Sequence, residues 1–274
     1  MQPLGESLTM LSSKANGFEY GRVRLWGSLA FIATAIIAGR VLSDTTPDAI
    51  MVMIFGSVVL MFAVTLFLPK LRTSKAMGSG FPIAPLLRNR AFLLVLIAAA
   101  LIQSSHAVYY GFGTIHWQKA GISDTVIGVL WAEGVIAEVI LFSFGAAVLR
   151  YTGPMRLIIL GGLAGILRWL GTGMDDSLPV LFVLQALHGL TFGATHLGVI
   201  HFISDKVPEE LSATALSLYS AVVMGLAMGL MVMASGHLYG AFGGQAYFVV
   251  AGMAALGGLL AFIVRQSNIQ IISN

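Results

Sequence analysis

Eight apolar segments, each near or above the length of a bilayer-spanning helix, follow one another along this chain with mostly short polar links between them. They cover residues 25–42, 49–69, 91–116, 124–149, 155–174, 178–204, 211–235 and 244–264. A hydrocarbon core about 30 Å thick takes roughly 20 helical residues to cross. Unpaired backbone polar groups are so costly in lipid that a long apolar run must close its own hydrogen bonds as a helix. The expected fold is therefore an all-α polytopic membrane protein. Residues 1–12 read as the second half of one more span.

Composition agrees. Charged residues make up 10% of the 274-residue chain and hydrophobic ones 57%, where a soluble domain carries roughly 25% charge. Mean hydropathy is +0.89. The chain has no cysteine, which excludes disulfides, thiolate metal sites and cysteine nucleophiles. A pI near 9.3 invites a nucleic-acid partner, but the basic residues lie between apolar runs and not on one soluble face, so none is expected. Residues 1–12 carry neither a basic leader nor a small-residue cleavage site, and no signal peptide is expected.

Lys and Arg set the orientation. Lys14, Arg22, Arg24, Lys70, Arg72, Lys75, Arg88, Arg90, Arg150, Arg156, Lys206 and Arg265 all fall on alternate connections, 12 of the 15 basic residues. The intervening connections hold Asp44 and Asp48, Lys119 and Asp124, and Asp175 and Asp176. This pattern places residue 15 and the C-terminus on the cytoplasmic side, with eight complete crossings between them. The longest connection, 70–90, is basic and contains glycine and proline. It reads as a cytoplasmic linker between a helical bundle over 1–69 and a six-helix bundle over 91–274. Two and a half spans precede the linker and six follow. Six after a central loop imply six before it, so the chain is expected to lack about three and a half spans of a larger fold.

Ionisable residues inside apolar spans are the candidates for function. Glu6 and Arg24 lie on consecutive antiparallel segments and can meet across the hairpin. There the guanidinium fork is either a receptor for hydroxyl or carboxylate groups or a side chain snorkelling to the interface. Gln103, His106 and Tyr110 share one helix face by spacing, with Tyr109 beside it; His116 and Trp117 fit an interfacial belt. Glu133 and Glu138 point about 140° apart on a helix, so one site is not expected to hold both. Glu138, between apolar neighbours, is the leading proton carrier, the alternative being a carboxylate tied to a neighbouring helix. Arg168 remains charged when buried and needs an anion, either Glu138 or a substrate carboxylate. His188, Thr191 and Thr195 share a face. His188 can exchange protons near physiological pH, and His196 lies about 80° round the helix, able to flank the same cavity. A network that only ties helices together is the competing reading.

No metal-ligand spacing, nucleotide-binding loop or nucleophile elbow is present. No cofactor or metal is expected, and no enzymatic activity.

The stretch Phe18-Glu19-Tyr20-Gly21-Arg22-Val23-Arg24-Leu25-Trp26-Gly27-Ser28 resembles the junction of the fourth and fifth helices in the major facilitator superfamily. The similarity is closest to the branch of the 3-phenylpropionate permeases and, more distantly, lactose permease. Gln103-Ser104-Ser105-His106, Val108-Tyr109-Tyr110-Gly111-Phe112, Ala137-Glu138-Val139-Ile140, Leu167-Arg168-Trp169, Leu187-His188-Gly189-Leu190-Thr191-Phe192 and His196-Leu197 follow in family order. The resemblance implies a twelve-helix fold of two bundles working by alternating access, and proton-coupled uptake. It implies that Glu6 and Arg24 contact substrate and that Arg168 and His188 belong to the proton-coupling network. Thr191 stands where the lactose permeases carry a proton-bearing glutamate, a role Glu138 is expected to take. The resemblance places Met1 within helix four, so this segment is not expected to transport alone.

The expected function is proton symport of a small organic solute, such as an aromatic acid, by a monomer in the cytoplasmic membrane. Substrate-binding candidates are Glu6, Arg24, Gln103, His106, Tyr110 and His196; proton-coupling candidates are Glu138, Arg168 and His188. The alternatives are a nucleoside or sugar symporter, and a non-transporting membrane sensor or inactive fragment.

Overall fold

The computed structural model describes residues 20–43, 45, 48–67 and 83–267, with only the backbone described for 20–25 and 209. Glu6, the Arg24 side chain and most of the 70–90 connection lie outside that description. The described helices are α1 (Tyr20–Ser43), α2 (Asp48–Thr65), α3 (Ile83–Arg88), α4 (Arg90–Ser104), α5 (Ala107–Lys119), α6 (Asp124–Ser143), α7 (Gly145–Thr152), α8 (Pro154–Met174), α9 (Leu178–Ala186), α10 (Thr195–Lys206), α11 (Glu209–Leu218), α12 (Met228–Phe242) and α13 (Ala246–Gln266).

Among the described residues, seven helical stretches are long and apolar enough to cross a membrane. The last, Glu210–Gln266, has 57 residues. At 1.5 Å per residue it would extend roughly 85 Å, far more than one bilayer. It folds back at a 3₁₀ turn, Gly243–Gln245, where Gly243 adopts φ +55°, a conformation open to glycine. The stretch is therefore two passes, in agreement with the eight apolar segments of the sequence.

The chain forms two compact units. The first contains α1, α2 and the start of α6, residues 123–132. Helices α1 and α6 approach closely at glycines: a Cβ on Gly39 would meet the Asp124 carbonyl oxygen at 2.5 Å, and one on Gly128 the Ala35 carbonyl oxygen at 2.6 Å. Small residues permit such approach between membrane helices. Beside them Ser43 and Thr125 hydroxyls share a 2.9 Å hydrogen bond. Helix α2 is apolar along its length and has no buried residue.

The second unit contains α3 to α5, residues 133–143 of α6, and α7 to α13. Its core gathers Leu86, Phe92, Ile102, Val199, Phe202 and Tyr219. Leu86, from the connection read as a linker, is fully buried, so the Ile83–Arg88 end of that connection packs as a short helix. Asn89 then starts α4 by accepting the Phe92 backbone N–H at 2.9 Å, a side-chain N-cap. Helix α13 lies against α8 where a Cβ on Gly162 would fall 2.6 Å from the Gly258 Cα.

Four breaks in regular α-helix fall inside apolar spans, one of them at Phe144 between α6 and α7. Ser105 and His106 interrupt the span of α4 and α5, where the Ser105 hydroxyl donates back to the Ile102 carbonyl, a bond that bends helices. Gly189–Ala194, between α9 and α10, and Tyr219–Ala227, between α11 and α12, are π-helical. Such turns are rare and concentrate at functional sites.

Candidate functional site

Arg168, on α8, is fully buried. A guanidinium can only donate hydrogen bonds, so it fixes the polarity of everything around it. Its Nη1 donates to His188 Nδ1 at 2.8 Å and to Thr191 Oγ1 at 3.1 Å, and its Nη2 donates to Gln185 Oε1 at 2.7 Å. Its Cζ lies 4.6 Å from the ring centroids of both Tyr109 and Trp169. Three neutral acceptors and two aromatic faces therefore hold the charge in place.

Donor logic then runs outward. Because Nδ1 of His188 accepts, the neutral ring carries its proton on Nε2. That nitrogen faces Glu138 Oε2 at 3.9 Å, too long for a hydrogen bond but close enough for charge attraction. A doubly protonated His188 would oppose its own N–H to that of Arg168. On the other branch, Thr191 is left to donate to His106 Nε2 at 3.0 Å, and His106 Nδ1 then donates to the Gln103 carbonyl at 3.0 Å. Gln185, its oxygen taken by Arg168, donates from Nε2 to the Tyr109 hydroxyl at 2.9 Å. Trp169 completes the wall by donating from Nε1 to Ser105 at 2.8 Å.

Helix irregularity positions these groups. The π-helical turn starts directly after His188, and Thr191 lies within it. Each residue of a π-helix turns through less than 100°, so residues four apart come nearly into register. Accordingly the rings of His188, Phe192 and His196 stack in one column, with interplanar angles of 15° and 11°. Close packing fixes the facing helix: a Cβ on Gly189, next to His188, would fall 2.7 Å from the Ala137 carbonyl oxygen of α6.

The structure thus brings together Glu138, Arg168 and His188, with Gln103 and His106 attached through Thr191. Tyr110 stacks on His106 with centroids 5.7 Å apart and is 40% exposed, the most open of the described candidates. His196 is drawn elsewhere: its Nδ1 bonds the Tyr219 hydroxyl at 2.9 Å, at the far end of the ring column from Arg168.

Two sequence expectations change. Arg168 is paired first with neutral groups, and the His188 ring stands between it and Glu138. Trp117 is 1% exposed, hence a core residue packed edge-on to Tyr109 and not part of an interfacial belt. Gln185 and Ser105 are network members that helical spacing did not single out, and Tyr109, expected beside the Gln103 face, joins them. The signal for them was chemical: a buried arginine demands several acceptors. Among the described residues no cluster of three or more His, Asp or Glu has the arrangement of a metal site.

An all-α, multi-pass membrane protein with a buried Arg–His–carboxylate cluster in its spans is the class these observations define. The sequence profile of the MFS_1 like family matches residues 1–250, and the chain belongs to that family. It is 32% identical over 255 residues to a protein of Escherichia coli K12 described as a probable 3-phenylpropionic acid transporter, covering 91% of this chain and 66% of that relative. It is 26% identical over 279 residues to the maltose permease of Geobacillus stearothermophilus, covering 96% and 67%. A raffinose permease of Escherichia coli is 24% identical over 265 residues, covering 89% and 61%. The chain thus spans about two-thirds of the length of these curated relatives.

Proposed function

We propose that this chain belongs to a proton-coupled symporter that takes up a small organic solute by alternating access. The observation that carries the proposal is the Arg168–His188–Glu138 arrangement, with 2.8 Å between the first pair and 3.9 Å between the second. Glu138 is the group that binds and releases the proton. While it is ionised, the N–H of His188 points at a carboxylate and the positive charge of Arg168 is balanced through the ring. Protonation removes that balance and leaves the buried guanidinium with uncompensated charge, which favours rearrangement. Ionisable residues inside membrane proteins serve such relays, and sites of this kind sit at broken helices.

The solute is an aromatic carboxylic acid of the phenylpropionate type. The similarity to a probable 3-phenylpropionic acid transporter supports this, as do the Tyr109, Tyr110 and Trp169 rings close to Arg168. Tyr110 is the described side chain offered to solute, supported by His106 and Gln103; Glu6 and Arg24 contribute further contacts, with His196 beyond Phe192. The protein acts as a monomer in the cytoplasmic membrane, with its C-terminus in the cytoplasm. The maltose and raffinose permease relatives favour a sugar as the second reading.

Uptake of labelled phenylpropionate into cells expressing the longest in-frame product containing this chain tests both points. Accumulation should collapse with a protonophore and should be competed by aromatic acids and not by maltose or raffinose. Accumulation insensitive to the proton gradient would overturn the coupling; competition by sugars alone would overturn the substrate class.

A further inference from the structure

We propose that the groove between α8 and α13 is a binding site for one anionic phospholipid of the leaflet on the basic side of the protein. The groove has a volume of about 570 Å³. At one end stand two exposed arginines, Arg156 at the start of α8 and Arg265 at the end of α13. Among the described residues neither has an acidic partner. Arg150 adds a third positive charge nearby, over the ring of Tyr151, which also lines the groove. Below this basic rim the walls become apolar. Leu160 and Leu163 rise from α8, Leu259 and Phe262 from α13, and all four are exposed. Gly258, at the contact of α13 with α8, also lines the groove.

Dimensions select the occupant. Ala255 and Arg265, both lining the groove, are ten residues apart on one helix, or roughly 15 Å at 1.5 Å per residue. That is half of a hydrocarbon core about 30 Å thick, the depth of one leaflet. An acyl chain fits against the leucines and Phe262 while its phosphate reaches the two guanidiniums, which bind phosphate as planar forks. A soluble anion would use the rim and leave the apolar walls bare. A zwitterionic lipid would bring its own positive charge against two arginines. Basic rims between membrane helices on the cytoplasmic side are where anionic headgroups are held. None of these residues takes part in the Arg168 cluster, so the proposal stands apart from the transport reading.

Native mass spectrometry of the purified protein tests it, with phosphatidylglycerol, phosphatidylcholine and inorganic phosphate as separate probes. Retention of one phosphatidylglycerol in preference to phosphatidylcholine, with no competition by millimolar phosphate, is the expected result. The double variant Arg156→Gln/Arg265→Gln should weaken retention about 30-fold, the combined effect of two arginines at a charged surface. Leu259→Trp keeps the rim charges but fills the groove, and should also abolish retention. Size-exclusion profiles of the variants identical to that of the parent protein establish that both fold. Equal retention of the two lipids, displacement by phosphate, or full retention by either folded variant would overturn the site.

Discussion

Arg168 Nη1, on α8, donates to His188 Nδ1, just before the π-helical turn, across 2.8 Å, and this one bond fixes the tautomer of the histidine. The remaining ring proton is on Nε2, directed at Glu138. Burial of the arginine, its three acceptors and the orientation of the carboxylate are therefore one construction.

Arg168→Lys should destabilise the protein although it keeps the charge. The three acceptors lie on three residues around a planar fork, and a single ammonium on a flexible stem cannot reach all of them. Loss of one charge-assisted bond corresponds to about 1.5–3 kcal/mol. A clear fall in thermal midpoint in detergent is expected; an unchanged midpoint would show that the fork geometry is immaterial.

His188→Phe should be more harmful than His188→Gln. Phenylalanine leaves a buried Arg168 donor unmet, at about 1–3 kcal/mol. Glutamine offers an oxygen to Arg168 and an N–H to Glu138, so it should fold like the parent while lacking the rigid ring. The comparison is read by thermal unfolding and by the pH profile of uptake. Equal stability of the two variants would contradict the donor assignment.

The α8–α13 contact makes a paired prediction. A Cβ on Gly162 would lie 2.6 Å from the Gly258 Cα, whereas one on Gly258 would lie an ordinary 3.4 Å from the Gly162 Cα. Gly162→Ala should cost about 1–3 kcal/mol through overpacking, and Gly258→Ala should be near neutral. Thermal unfolding of the two variants decides; equal effects would mean that the helices separate freely.

His116 Nε2 and Asp176 Oδ1 lie 2.9 Å apart, but they are not aligned as a hydrogen bond. Asp176 is 40% exposed, and pairs of that kind contribute about 0–1 kcal/mol. Asp176→Asn should leave stability and uptake close to those of the parent. A large loss of either would give this contact a role outside the Arg168 cluster.

The spans were legible because lipid leaves a long apolar run one option, the helix. Glu138, Arg168 and His188 were legible for the complementary reason: an ionisable residue in such a run stands out against its neighbours. What could not be read was who meets whom. Projection at 100° per residue puts His196 about 80° from His188, yet the π-helical turn between them aligns the two with Phe192. Trp117, at the end of its span, fits an interfacial belt by position, but it is buried and packs edge-on to Tyr109. The division into 1–69, 70–90 and 91–274 followed hydropathy and charge, which do not register that Leu86 packs into a core.

The most direct test of the central claim, that Glu138 carries the coupled proton, compares two modes of flux in Glu138→Gln. Glutamine keeps the shape and an acceptor for the His188 N–H but cannot exchange a proton. The variant should lose accumulation of solute against a gradient while still exchanging labelled for unlabelled solute across the membrane. Accumulation at the level of the parent protein would contradict the claim.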